Sequence, residues 1–253
     1  MGRRGAIGLI GGLAALAAAA AWLVPPIPQN PAYHRLADSR AWLGIPNALN
    51  VLSNAGFLLI GALGLAFVLG GGGRAFREPG ERWPYVVFFG GLLLTGVGSA
   101  YYHWEPGNAR LAWDRLPLAI TLMGLLAATL AERISVKAAR WLLGPLVAIA
   151  AGSVVYWHWT EQRGAGDLRL YALVQFYPIV AVPLMLWWLA PRYTRGGDLL
   201  AAAATYAAAK APELLDGWIL SATRVVSGHT LKHLLAALAG YWVLRMLRHR
   251  RPA

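Results

Sequence analysis

Apolar runs of about twenty residues recur along this chain, and each is close to the length a helix needs to cross a hydrocarbon layer about 30 Å thick. They lie at about residues 5 to 24, Ala48 to Gly70, Trp83 to Tyr102, Leu111 to Leu130, Ala138 to Trp157, Leu168 to Ala190, Gly197 to Leu220 and Gly228 to Leu247. Hydrophobic residues make up 58% of the 253 and charged residues 13%, a balance foreign to a soluble domain of this length. The expected fold is all-α, a polytopic transmembrane helix bundle with a seven-helix core preceded by an N-terminal hydrophobic helix or signal segment. Residues 1–46 form that segment and an extracytoplasmic loop, and residues 47–253 form the core with a basic cytoplasmic tail.

The formal net charge of +12 would suit a nucleic-acid partner if a soluble face carried it, but there is none. The arginines sit between the apolar runs instead. With the N-terminus in the cytoplasm, Arg3, Arg4, Arg74, Arg77, Arg82, Arg133, Arg140, Arg245 and Arg248 fall inside, and about half as many basic residues, Arg40, Arg110, Arg115 and Arg169 among them, fall outside. This is the positive-inside pattern of a multi-pass protein with a cytoplasmic C-terminus. The Ala, Gly and Arg bias without cysteine is compatible with a bacterial inner membrane. Arg3 and Arg4 before an apolar run also describe a signal peptide. Its near-spanning length and the PPIP breaker after Trp22 favour an uncleaved helix.

Polar residues interrupt the apolar runs at a few places, and these gather. Ser99 and His103 are four apart near the end of one run, about 40° from each other around a helix, and Asp114 opens the next run beyond the short HWEPGNAR turn. His229 and His233 repeat the four-residue spacing in the last run. In the topology above all five lie near the non-cytoplasmic ends of their helices, at one membrane depth. Three imidazoles, a hydroxyl and a carboxylate at one depth point to a metal site. Absence of cysteine leaves imidazole and carboxylate as the ligands for any zinc. Other polar residues have structural readings: Asn47, Asn50 and Asn54 as a stripe of interhelical hydrogen bonds, Lys210 and Glu213 as an ion pair, His158 as an interhelical contact, and His249 as solvated. Lys232 points away from the histidine pair, free to snorkel or meet a carboxylate. Asp216 is a candidate for orienting one histidine.

The order Ser99, His103, Asp114, His229, His233, together with the NALNVLSN opening at Asn47 to Asn54, resembles the alkaline ceramidases and their wider membrane-hydrolase superfamily, often called CREST. The resemblance spans about residues 45 to 247. It implies zinc held by His103, His229 and His233, with Ser99 and Asp114 contacting the zinc-bound water or the substrate carbonyl. One departure is plain: where the family has a calcium-binding acidic cluster, including a Glu, this chain has Asn47, and Asp38 is the acidic residue nearby, which counts against calcium.

Zinc on three imidazoles keeps a fourth position for water and lowers its pKa to around 7. Asp114 would then serve as proton acceptor and donor, and Ser99 as a hydrogen-bond donor to the developing oxyanion. A site set below the membrane surface among Trp, Tyr and Leu favours a substrate with acyl chains. The expected activity is zinc-dependent hydrolysis of the amide of a ceramide-like lipid to a sphingoid base and a fatty acid. The alternatives are a related lipid receptor or sensor with little turnover, a metal-free intramembrane serine hydrolase using Ser99 with a histidine, and a transporter.

Overall fold

A computed structural model describes residues 2–71 and 75–253, and among them there are helices and no β-strand. Arg74, assigned above to an inside loop, lies outside the described residues. Six helical segments are long and apolar enough to span a membrane, at Arg3–Leu23, Ala48–Gly70, Pro79–Trp104, Asn108–Arg133, Val136–Gln162 and Arg169–Trp188. The protein is a multi-pass integral membrane protein built as an all-α bundle.

The first run is α1 (Arg3–Leu23), a peripheral helix packed on α7 (Arg169–Trp188), where the Tyr177 hydroxyl donates to the Ile10 carbonyl at 2.9 Å. The second run is divided into α2 (Ala48–Leu52) and α3 (Ala55–Ala66). At the division Ser53 Oγ and Asn54 Nδ2 donate to the Asn50 carbonyl, at 3.1 and 2.8 Å, and so compete with the helical ladder. Next come α4 (Arg82–Trp104), α5 (Asn108–Arg133) and α6 (Val136–Glu161), each within a few residues of its apolar run.

The seventh run departs from expectation. It is not one helix but three pieces, α8 (Gly196–Ala208), α9 (Lys210–Leu214) and α10 (Asp216–Thr223). Pro212 has no N–H to donate, and its ring conflicts with the carbonyl four residues back. Asp216 is occupied elsewhere, as described below. The eighth run is α11 (Gly228–His249), which packs against α3 and α8.

Helix α5 is the axis of the bundle and contributes to both apolar cores. One core joins it to α6 and α7 through Met123, Trp157 and Met185, and the other joins it to α3, α4 and α11 through Leu125, Phe57, Phe89 and Leu244. Its approach to α4 is close because Gly98 has no side chain: a Cβ there would lie 2.1 Å from the Trp113 carbonyl oxygen. That contact sets Ser99 level with Asp114.

At the end of the bundle remote from the histidines, a charged cluster is buried. Glu132 accepts hydrogen bonds from the Tyr85 hydroxyl and from Arg250, while Glu81 accepts from the Tyr193 hydroxyl and lies 2.9 Å from Arg192 Nε. The Arg250 guanidinium stacks 4.0 Å from the centre of the Tyr193 ring. The basic tail is thus shorter than the sequence suggests: the Arg250 side chain is 0% exposed, drawn into the core by two carboxylates, whereas His249 stays at the surface.

Candidate metal centre

Helix α11 begins at Ser227, whose hydroxyl accepts from the Thr230 N–H at 3.2 Å and caps the helix. Gly228 brings this start against the broken α9, since a Cβ there would meet the Pro212 carbonyl oxygen at 1.9 Å. Another free N–H of the first turn, that of His229, donates to Asp216 Oδ1 at 2.7 Å. Asp216 therefore positions His229 through the main chain, not through the imidazole. The correction has a simple cause: α10 turns its N-terminal carboxylate toward unsatisfied backbone donors, the Ala37 N–H at 3.1 Å being the other.

With α11 so placed, His229 and His233 point one turn apart at His103 on α4. His103 Nε2 lies 3.2 Å from His233 Nε2 and 3.2 Å from His229 Nε2. All three side chains are buried, and their ligand atoms lie within 4.8 Å of one another, so the group could hold a metal ion. The two separations from His103 match the edge of a small tetrahedral site. Nitrogens about 2.0–2.1 Å from such an ion sit roughly 3.3 Å apart along a tetrahedral edge.

Neighbouring groups prepare the nitrogens. Ser53 spends its proton on the Asn50 carbonyl, so at 2.8 Å it accepts from His233 Nδ1, which leaves the His233 Nε2 lone pair directed at the cluster. Asn47, at φ 47°, donates Nδ2 to the His103 carbonyl at 2.8 Å and joins the start of α2 to the end of α4. Asn50 Oδ1 accepts from Thr230 Oγ1 at 3.1 Å. The Asn stripe therefore does bridge helices, except that Asn54 bonds to its own helix.

Ser99, Asp114 and His233 share the wall of a cavity of about 160 Å³ that opens beside the histidines. Lys210, Lys232 and Arg115 share it too. Lys210 and Glu213 pair at 2.9 Å as expected, and Lys232 takes the other Glu213 oxygen at 2.9 Å. Below lies an apolar cavity of about 50 Å³ lined by residues such as Leu122, Pro178 and Val243. The two cavities have Phe57, Leu118, Tyr206 and Ala236 in common.

The loop of residues 25–46 crosses this end of the bundle as a strap. His34 bonds to the Tyr102 hydroxyl at 3.1 Å and to Asn108 Oδ1 at 2.8 Å, and Arg40 reaches the Val225 carbonyl at 2.6 Å. Asp38 has both carboxylate oxygens on Arg40, each at 2.7 Å, which holds its carboxyl below the usual carboxylate range.

All five residues picked out by spacing, Ser99, His103, Asp114, His229 and His233, thus meet at one end of the bundle. His158 stays apart from them, its Nε2 3.0 Å from Gln162 Nε2. Sequence reasoning passed over Ser53, whose position three residues after Asn50 was the available signal. It also passed over His34, which carries no motif, and Arg115, which was counted as a loop charge and is instead 6% exposed in the chamber wall. The sequence matches no family model, and a search of curated proteins finds no match either.

Proposed function

We propose that this protein is a zinc-dependent membrane hydrolase that cleaves the amide bond of a ceramide-like lipid, in the manner its sequence resemblance to the alkaline ceramidases implies. The observation that carries the proposal is the convergence of three buried imidazoles beside a chamber that holds a hydroxyl and a carboxylate and adjoins an apolar cavity.

Three nitrogen donors without thiolate suit zinc, with His103, His229 and His233 as the ligands. Bound there, zinc supplies hydroxide near neutral pH and a Lewis acid. The protein's own groups divide the remaining work. Asp114 takes a proton on its carboxylate and returns it to the leaving nitrogen. Ser99 donates a hydrogen bond to the carbonyl oxygen as charge develops on it. The apolar cavity receives an acyl chain, so the amide stops level with Ser99 and Asp114. The histidine end faces the non-cytoplasmic side of the membrane, a bacterial inner membrane in this reading.

The serine-hydrolase alternative is less well supported. Among the described residues no imidazole nitrogen hydrogen-bonds the Ser99 hydroxyl, and the Nε2 atoms turn to one another.

Elemental mass spectrometry of the detergent-purified protein, with His229→Ala/His233→Ala alongside, tests the site. About one zinc per chain, lost in the variant together with turnover of a lipid-amide panel, is the expected result. Metal-free wild-type protein that still hydrolyses lipid amide would sink the mechanism. Ser99→Ala is expected to cost about 100-fold in kcat, as an oxyanion contact worth roughly 3 kcal/mol does. Complete loss with zinc retained would make Ser99 a nucleophile.

A further inference from the structure

Arg115 is a cation without a counter-charge. It is 6% exposed, near the start of α5. Its Nη2 donates to Gln29 Oε1 at 2.6 Å, while Nη1 has no hydrogen-bond partner among the described residues. Three aromatic rings surround the guanidinium, Trp157 at 4.3 Å, Tyr171 at 4.8 Å and Tyr33 at 5.7 Å. Aromatic faces and one amide offset part of the cost of removing an arginine from water, but the buried Arg250 has a carboxylate, that of Glu132, as well as aromatic rings. Here no carboxylate oxygen of the described residues lies within 4.0 Å.

The rest of the chamber does not make up the difference. Glu213 is already divided between Lys210 and Lys232, each at 2.9 Å, and also accepts from the Tyr33 hydroxyl at 3.2 Å. Asp114 is the carboxylate on the chamber wall itself. Three cations therefore face two carboxylates, and the excess charge falls at Arg115. Lys210 uses one of its three ammonium donors on Glu213 and has the others to give.

We infer that Arg115 and Lys210 form an anion subsite in the chamber, and that the lipid taken there bears an acidic head, such as a phosphate monoester, in place of a neutral hydroxyl. The inference rests on the hydrolase reading for what happens to that lipid, but not for its binding. A guanidinium presents a fork of N–H donors that matches a phosphate oxygen pair, and Lys210 adds a point charge. The apolar cavity that shares Phe57 and Leu118 with the chamber takes the chain of the same molecule, which distinguishes a lipid head from a free anion.

Calorimetric titration of the purified, full-length protein in non-ionic detergent tests this without turnover. The probes are dodecyl phosphate, 1-dodecanol and inorganic phosphate. Dodecyl phosphate is expected to bind at least tenfold more tightly than dodecanol, with Arg115→Gln erasing most of that advantage and Arg115→Lys keeping part of it. Inorganic phosphate alone is expected to bind far more weakly. Equal affinity for the two dodecyl probes, or an advantage that survives in Arg115→Gln, overturns the subsite. Inorganic phosphate as tight as dodecyl phosphate overturns the lipid-head assignment in favour of a free-anion site. Should Arg115→Gln not fold, Lys210→Gln carries the same comparison. Phosphate preference without amide hydrolysis removes the hydrolase reading alone; hydrolysis without the preference removes the subsite alone.

Discussion

The two ends of this bundle bury polar groups to a similar degree and use them in opposite ways. At the end holding Arg250, each buried glutamate meets a cation and a phenol: Glu132 faces Arg250 and Tyr85, and Glu81 faces Arg192 and Tyr193, although single nitrogens of Arg133 and Arg250 stay without a hydrogen-bond partner. At the histidine end, three imidazole nitrogens face one another, His103 Nδ1 and Arg115 Nη1 lack protein partners, and a chamber opens beside them. Burial in an apolar medium penalises polar groups alike. A cluster in which opposite charges meet within the chain holds helices together. One in which imidazole nitrogens and cations face a chamber without enough opposite charge could hold a ligand.

The sharpest way to break the comparison is Arg250→Met. It leaves two buried glutamates short of a cation and is expected to cost about 3–5 kcal/mol of stability, read as a lowered unfolding midpoint in detergent. Metal affinity of the folded fraction should stay near that of the wild type. A variant that lost metal in proportion to stability would show the two ends acting as one unit.

Ser53→Ala sharpens it from the other side. Without the hydroxyl that accepts from His233 Nδ1, metal affinity should fall about 10–100-fold in a chelator competition, with little change in the unfolding midpoint. Unchanged affinity would remove Ser53 from any role in setting the tautomer.

The smallest effect is expected in the strap. Hydrogen bonds from Arg40 depress the Asp38 carboxyl, so its contribution to stability is present above the ordinary carboxylate pKa of about 3.9 and is lost as the pH falls through the lower, folded value. Asp38→Asn should therefore unfold earlier than the wild type at neutral pH, and the gap should close on acidification below about pH 4. A gap that widened on acidification would mean the pair has the opposite sign.

Much of the bundle was legible because hydrocarbon leaves a chain few choices. Apolar runs such as Leu111 to Leu130 must become helices, and α5 overruns that one by only three residues at each end. The histidine cluster was legible because the i, i+4 spacing fixes a face and the order of the apolar runs puts the ends of alternate helices together. What stayed hidden depends on contacts between distant residues. Arg250 reads as a tail charge until Glu132, 118 residues away, is seen beside it. Arg115 reads as a topology signal until Trp157 of α6, Tyr171 of α7 and Tyr33 of the strap close around it. The break in the seventh run was available in Pro212, but overall hydropathy there outweighed a single residue.

The histidine cluster also has a history within each molecule. His103 and His229 are separated by 126 residues of chain, so at roughly 5–20 residues per second the ribosome finishes α4 some 6–25 s before it delivers the partners of its histidine. During that interval α5, α6 and α7 are also made, so the contacts among α3 to α7 can form while His103 has no partner imidazole. The three-histidine cluster is complete only with the arrival of α11, the helix that also brings Arg250 to its glutamates. One helix thus completes both ends of the bundle, and the cluster that could hold an ion exists only once that helix has docked.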